Sequence, residues 1–315
     1  MESSNPNAKP LSSEIFEHLD KLVVGQVEAK ERLSLLLSMH SAWDAKSDPY
    51  NPPPNGIIVG PTGSGKTFSI RVASMYLGFP FRIIDATTLV PSGARGGSSA
   101  FDLFGEFEDV PKLVLFVDEF DKIAARDDDH NKAWKSDIQR ALLKFIENRS
   151  SARVDGNKVD ALVLAGGAFV GIDGPENLRR RRTEIMQLMR DAPKGTVVAE
   201  DFVNFGFMPE LVARLPAIIQ YDHLPYDALV QILKHPESSP LLIWEHHFRR
   251  IGKTLRFTQR FVEAVAKRAV AQQMGARGLQ QIVFPALARR AYVFESSQDS
   301  TIDVGEEVLE YKKGP

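Results

Sequence analysis

The sequence predicts an α/β fold: a parallel sheet with helices on both faces, followed by a smaller, mainly helical part. Three observations carry that expectation. Five short apolar runs, Gly56 to Val59, Phe81 to Ile84, Leu113 to Val117, Ala161 to Ala165 and Ala217 to Tyr221, alternate with helix-length connections. Such nearly continuous apolarity marks strands covered on both faces. From Leu224 onward the runs give way to helical spacing. The 315 residues, 43% apolar and 25% charged, suffice for one large domain plus a small one and are too apolar for a disordered chain.

Taken in order, residues 1–12 are small, polar and proline-punctuated and read as a disordered tail. Ser12 and Ser13 precede Ile15, Phe16 and Leu19 at helical spacing, which predicts a helix behind a serine cap. Leu22 to Gln26 interrupts it. Ala29, Leu33, Leu36 and Leu37 then share one face of a second helix running towards Trp43, and the prolines between Pro49 and Pro54 end that pattern. After the sheet, helices are expected over Tyr226 to Lys234, Pro240 to Ile251 and Gln259 to Met274. Gly275 and Gly278 punctuate the chain before a last helix from Leu279 to about Ala291. The tail beyond Glu295 reads as either a short strand or loose chain. The domains are therefore expected at 13–222 (large, α/β) and 223–315 (small, helical).

Charge and composition narrow the chemistry. With 39 basic and 41 acidic residues the net charge is −2, so the surface as a whole is not built to coat nucleic acid or anionic lipid. The sequence has no cysteine, which excludes disulfides, thiolate nucleophiles, iron–sulfur clusters and cysteine-bound zinc; a metal must be held by oxygen or histidine. No apolar run reaches the length of a membrane span, and the first residues lack the basic and apolar regions of a signal peptide. A cytoplasmic location and no membrane partner are the expectation.

Gly60-Pro61-Thr62-Gly63-Ser64-Gly65-Lys66-Thr67 fits G-x-x-x-x-G-K-[ST] and falls after a predicted strand and before a predicted helix. In such a loop backbone N–H groups turn inward around phosphates, the lysine reaches the β and γ oxygens, and the hydroxyl of the last residue ligates Mg²⁺. Pro61, Thr62, Gly63, Ser64, Gly65, Lys66 and Thr67 are thus candidate ATP-binding residues. The run Leu113 to Val117 ends in Asp118 and Glu119. The first acid is placed to join Thr67 in the Mg²⁺ shell and the second to act as general base on the attacking water.

The P-loop, Asp118-Glu119-Phe120-Asp121-Lys122-Ile123, Ala165-Gly166-Gly167-Ala168-Phe169, the run from Phe205 to Pro216 and Gly275-Ala276-Arg277-Gly278-Leu279, in that order, resemble the ClpX family of AAA+ unfoldases over most of 13–295. The related HslU family is a weaker match, because its long inserted domain has no counterpart here. The resemblance implies a P-loop AAA+ sheet with a helical lid domain, in a homo-hexameric ring that binds ATP and Mg²⁺ between subunits and acts on protein substrates. It places Val24, Gly25 and Gln26 in the segment lining the adenine pocket, makes Arg214 the arginine finger that completes the adjacent subunit's site, and makes Arg277 the sensor that touches nucleotide from the small domain. Gly166 and Gly167 fall where the family has its first sensor, and neither offers a polar side chain.

Several departures bear on function. Where the family has a Gly-aromatic-hydrophobic-Gly pore loop, this chain reads Gly93-Ala94-Arg95-Gly96-Gly97. Alanine offers little grip and a ring of Arg95 copies would suit an acidic ligand, or the segment is simply a glycine-rich loop with no partner. With no cysteine in the sequence, no cysteine-based zinc domain is expected ahead of the ATPase module. The stretch Asp173 to Ala199 has no Ile-Gly-Phe type tripeptide for docking a peptidase and instead contains Arg179-Arg180-Arg181-Arg182. Arg149 to Lys158 is shorter than the family's pore-entrance loop and lacks its Arg-Lys-His run. Asp127-Asp128-Asp129 lacks the glycine and glutamate of a calcium loop, and His246-His247 lacks zinc spacing. The expected function is an ATP-driven protein-remodelling motor without a peptidase partner. The alternatives are the regulatory ATPase subunit of a ClpP-like protease, or a less favoured nucleic-acid motor or nucleotide-switched scaffold using the arginine run.

Overall fold

The computed structural model describes residues 9–44, 47–48, 51–90, 110–126, 130–150, 160–174 and 195–309. The first eight residues, the stretch with Ala94 and Arg95, Asp127 to Asp129, residues 151–159 and the run Arg179 to Arg182 lie outside the described residues. The chain divides into two compact units: residues 1–19, 27–61 and 66–221 form the first, and residues 20–26, 62–65 and 222–315 the second.

The first unit is built on five parallel strands, β1 (Gly56–Val59), β2 (Phe81–Asp85), β3 (Leu113–Asp118), β4 (Ala161–Gly167) and β5 (Ala217–Gln220), in the order β2-β3-β4-β1-β5. β1 and β4 are buried at every position and β3 at all but its last, as expected of strands with helices on both faces. Among the described residues this unit has the helices α1 (Ser12–Leu22), α2 (Val27–Ala42), α3 (Lys66–Leu77), α4 (Lys132–Ser150), α5 (Ala199–Phe205) and α6 (Pro209–Ala213). Only the last turn of α1 passes into the second unit.

Local chemistry sets several boundaries. At the start of α1 the N–H of Ile15 bonds to the Leu11 carbonyl and the Leu11 N–H is taken by Glu14 Oε2 (2.8 Å), so a glutamate three residues on caps this end where a serine was expected. The C-terminus of α2 is closed by Lys112, whose ammonium donates to the carbonyls of His40 (2.9 Å) and Trp43. Burial lowers the pKa of Lys112, and Asp160, 3.4 Å away, opposes that shift. Beneath the carboxyl ends of β3 and β4, Phe120, Phe169, Phe202, Phe205 and Phe207 form one cluster, with Phe120 and Phe207 stacked at 4.5 Å between centroids.

The second unit holds α7 (Tyr226–Lys234), α8 (Leu242–Arg250), α9 (Gln259–Ala271) and α10 (Gly275–Ser296) around its own core of Leu229, Phe248, Phe261, Val265 and Leu279. Thr258 caps α9 by accepting the Phe261 N–H (3.2 Å). Two expectations fail here. Gly275 and Gly278 do not precede the last helix; both lie inside it, because a Cβ on Gly278 would stand 2.1 Å from that of Met274 and only glycine fits that close approach. The helix also runs past Ala291 to Ser296, with Pro285 inside it. The tail adopts the strand alternative: β7 (Thr301–Val304) pairs in parallel with β6 (Thr254–Phe257), a strand too short to show in the sequence pattern, across the long crossover of α9 and α10. No helix among the described residues is long and apolar enough to cross a membrane.

Candidate nucleotide site

In the first unit the carboxyl ends of the central strands place the P-loop stem and the acidic pair two strands apart. Val59 pairs with Gly167 on β4, Ala165 pairs with Val117 on β3, and Asp118 follows in register with Asp85 of β2. Open α/β sheets bind ligands at this edge. The chain leaves β1 at Gly60, whose N–H donates to Gly167 O (3.3 Å) and whose φ is +153°. A Cβ there would lie 2.5 Å from the carbonyl oxygen of Tyr221, so the position requires glycine. Tyr221 is itself clamped, its N–H donating to Val59 O (2.7 Å), and burial raises its hydroxyl pKa to about 12.

Lys66 opens α3 with its side chain buried, the ammonium donating to the carbonyls of Gly60 (2.6 Å) and Pro61 (2.9 Å). A buried ammonium resting on carbonyls of its own loop at the first turn of a twelve-residue helix fits a site for phosphate oxygens, which would give it charged acceptors. Thr67 is half-buried beside it. Asp118 accepts the Glu119 N–H through Oδ1 (2.9 Å), and Glu119 sits in the left-handed region at φ 54° and ψ 29°. A non-glycine residue there stores on the order of 1–3 kcal/mol and persists only where its surroundings fix it. Here the Lys122 N–H closes onto Glu119 O (3.0 Å). Among the described residues no group of three histidine or acidic side chains could hold a metal, so a cation at this edge would use the Thr67 hydroxyl, the Asp118 carboxylate and the nucleotide's own phosphates, an oxygen set that suits Mg²⁺.

In the second unit the tip of the loop, residues 62–65, packs on the start of α10. The Ala276 N–H donates to Gly63 O (2.9 Å), and a Cβ on Gly63, at φ +78°, would lie 2.8 Å from Met274 O and 3.1 Å from the Arg277 nitrogen. Arg277 is thereby set beside the loop tip, with an exposed side chain. Gln26, itself left-handed at φ 56°, donates through Nε2 to Ser64 O (3.2 Å) and Asp222 O (2.8 Å) and accepts the Asp222 N–H (2.9 Å). Val24 is half-buried and Gly25 exposed next to it. Ser64 Oγ is buried without a hydrogen-bond partner, a polar atom that a bound phosphate would satisfy.

Arg214 behaves differently. It follows α6, with a half-exposed side chain, and its Nη2 donates to Glu147 of α4 (3.1 Å) and not to the P-loop. Two residues of this region escape a sequence reading. Gln139 is wholly buried on α4 and bonds three backbone groups. Its signal was a polar residue in the apolar stripe with Leu142 and Ile146. Asp121 explains Gly167: a Cβ on that glycine would lie 2.5 Å from Asp121 Oδ1. No sequence pattern shows that contact.

A buried P-loop lysine and an acidic strand end, two strands apart at the carboxyl edge of a parallel sheet, define a P-loop ATPase. The ATPase family associated with various cellular activities (AAA) matches residues 57–189. The chain is 30% identical over 319 residues to the ATP-dependent Clp protease ATP-binding subunit ClpX of Treponema denticola, covering 88% of this chain and 75% of that one. It is 28% identical over 322 residues to ClpX 2 of Wolinella succinogenes (93% and 80%) and 29% identical over 333 residues to ClpX of Borrelia duttonii (93% and 76%). The chain belongs to the ClpX family of AAA+ ATPases: it binds nucleotide and hydrolyses ATP.

Proposed function

We propose that this ATPase is a protein-remodelling motor acting in the cytoplasm, hydrolysing ATP at the subunit interfaces of a homo-hexameric ring and working without a peptidase partner. One observation carries the reading: the hydrolytic residues Lys66, Thr67, Asp118 and Glu119 belong to a single sheet edge, while Arg214 of the same chain lies half-exposed on another element. An arginine so placed is available to a neighbouring protomer. In this reading Lys66 holds the β- and γ-phosphate oxygens, and Val24, Gly25 and Gln26 receive the adenine. Glu119 orients the attacking water and takes its proton, and Arg214 of the adjacent protomer, with Arg277, neutralises charge developing on the γ-phosphate. Mg²⁺, held by Thr67 and Asp118, supplies charge neutralisation on the phosphates when bound. The peptidase-free element is motivated by Asp173 to Ala199, which has no Ile-Gly-Phe type tripeptide to serve as a docking anchor.

The test uses Glu119→Gln. It is expected to bind ATP as the native chain does and to release phosphate at least about 100-fold more slowly; normal turnover would remove Glu119 from the base role. Used as an ATP-locked trap, the same variant should retain protein targets. A second reading is favoured by the names of the relatives, which are ATP-binding subunits of a Clp protease. Degradation of a folded target that requires ATP, this chain and a ClpP-type peptidase together would select it over the first.

A further inference from the structure

We infer that Gln139 is a positioning residue for Arg214: it fastens the turn entering the helix that ends at Arg214 onto the turn leaving β3, and so sets where the guanidinium is presented to a neighbouring protomer. The inference rests on the reading of Arg214 as the residue that completes an adjacent site.

The side chain of Gln139 is fully buried and spends both donors and one acceptor on the backbone. Nε2 donates to Ile123 O (2.8 Å) and to Gly206 O (3.1 Å), and Oε1 accepts the N–H of Met208 (2.8 Å). Ile123 ends the short 3-10 turn that follows Glu119, and Met208 is the residue from which α6 departs. The two turns are also stitched directly. Ala125 N–H donates to Gly206 O (2.9 Å), the Arg126 guanidinium lies 4.3 Å from the centre of the Phe205 ring, and Phe120 stacks on Phe207. Gly206 takes φ +118°, and a Cβ there would press on the Ala125 backbone at 3.1 Å.

The consequence follows from the shortness of α6. It has five residues, so Arg214, six residues on, stands only about 9 Å along the axis from the bonded Met208 N–H. A short rigid segment transmits a slip at its entry almost undiminished to its exit. Its far end is referred to the same helix, because Glu147 of α4 pairs with Arg214. That outer pair is half-exposed and weak; the buried amide at the near end is the firm attachment. Gln139 therefore refers the position of Arg214 to the strand end that carries the chain's own Asp118 and Glu119. A glutamine that merely satisfied a polar gap in the core would damage every function of the protomer alike, whereas a positioning residue damages the function of the part it positions.

Mixed rings separate the two. Arg214→Ala chains keep an intact hydrolytic edge and lack the finger; Glu119→Gln chains keep the finger and cannot hydrolyse. Mixing them is expected to restore part of the ATP turnover, read as phosphate release. Gln139→Met is then placed in one chain or the other. In the finger-donating Glu119→Gln chain it should cut the restored kcat at least about 10-fold with the nucleotide KM within about 2-fold, since misplacing a reacting group by about 1 Å can cost about 100-fold. In the Arg214→Ala chain it should cut kcat less than about 2-fold. Equal losses from either chain, or no loss from either, overturn the inference. If turnover is not restored even with Gln139 intact, the trans role of Arg214 is what failed, and the inference falls with it. Gln139→Glu, which conserves size and keeps an acceptor for Met208 N–H, is run in parallel with thermal melting of each chain; should Gln139→Met fail to fold, the same asymmetry at about 3-fold is required of the glutamate variant.

Discussion

Lys66 and Arg214 are cations held in opposite ways by two regions of one unit. Lys66 is buried at the carboxyl edge of the sheet, its ammonium resting on two carbonyls of the loop that carries it. Arg214 stands half-exposed after a five-residue helix, with a carboxylate on a neighbouring helix as its partner. A buried cation without a ligand must be satisfied by the protein itself, so its position is fixed by the fold; an exposed one paired at the surface can exchange its partner at little cost. In the proposed reading the edge binds within the chain, and Arg214, carried after α6, is the group offered outward.

The largest effect expected from this contrast is on turnover. Arg214→Ala should lower kcat by about 10³ to 10⁵ while leaving nucleotide affinity within a few-fold, measured as phosphate release against binding of a fluorescent ATP analogue. An equal loss of affinity would mean that Arg214 serves the ground state and would dissolve the contrast. Lys66→Ala should act on the other side of it. Removing charge-assisted hydrogen bonds to bound phosphate is expected to weaken ATP binding by about 10- to 100-fold, checked by the same titration. Unchanged affinity would show that the lysine stays on the Gly60 and Pro61 carbonyls with nucleotide bound.

The two regions also differ in how far the sequence revealed them. The sheet edge was legible because its parts are contiguous: apolar runs name the strands, the glycine-lysine loop follows one and the acidic pair ends another, and the pairing of β1 and β3 with β4 only had to bring the ends level. Resemblance drew attention to Phe205 to Pro216, yet its physical content, five phenylalanines packed beneath two strand ends with a turn bonded to Gln139, is distributed over more than eighty residues of chain. No local pattern records such a constellation. The start of α10 was misjudged for a related reason. A glycine reads locally as a helix breaker, while Gly278 is dictated by the Met274 side chain and Gly63 by the backbone of residues 274–277.

Tyr221 offers the smallest effect and the most direct probe of how tightly the sheet edge is built. Its backbone closes on Gly60, and its buried phenol is held neutral with a pKa near 12 against an ordinary value of 10, burial raising it and the Ser69 hydroxyl opposing. A phenol whose folded pKa is raised keeps its proton in the native state at pH values where the unfolded chain has released it. Its contribution to stability is therefore full below pH 10 and is lost as pH rises towards 12, a loss of about 2–3 kcal/mol across that window. Tyr221→Phe lacks the titration. Urea melts of the two proteins between pH 9 and 12 should show the native chain losing stability relative to the variant by that amount, with folded-state ATP binding unaffected at pH 8. Parallel curves would mean that water reaches the hydroxyl, and the packing behind Gly60, where an added Cβ would lie 2.5 Å from the Tyr221 carbonyl oxygen, would then be looser than the structure has it.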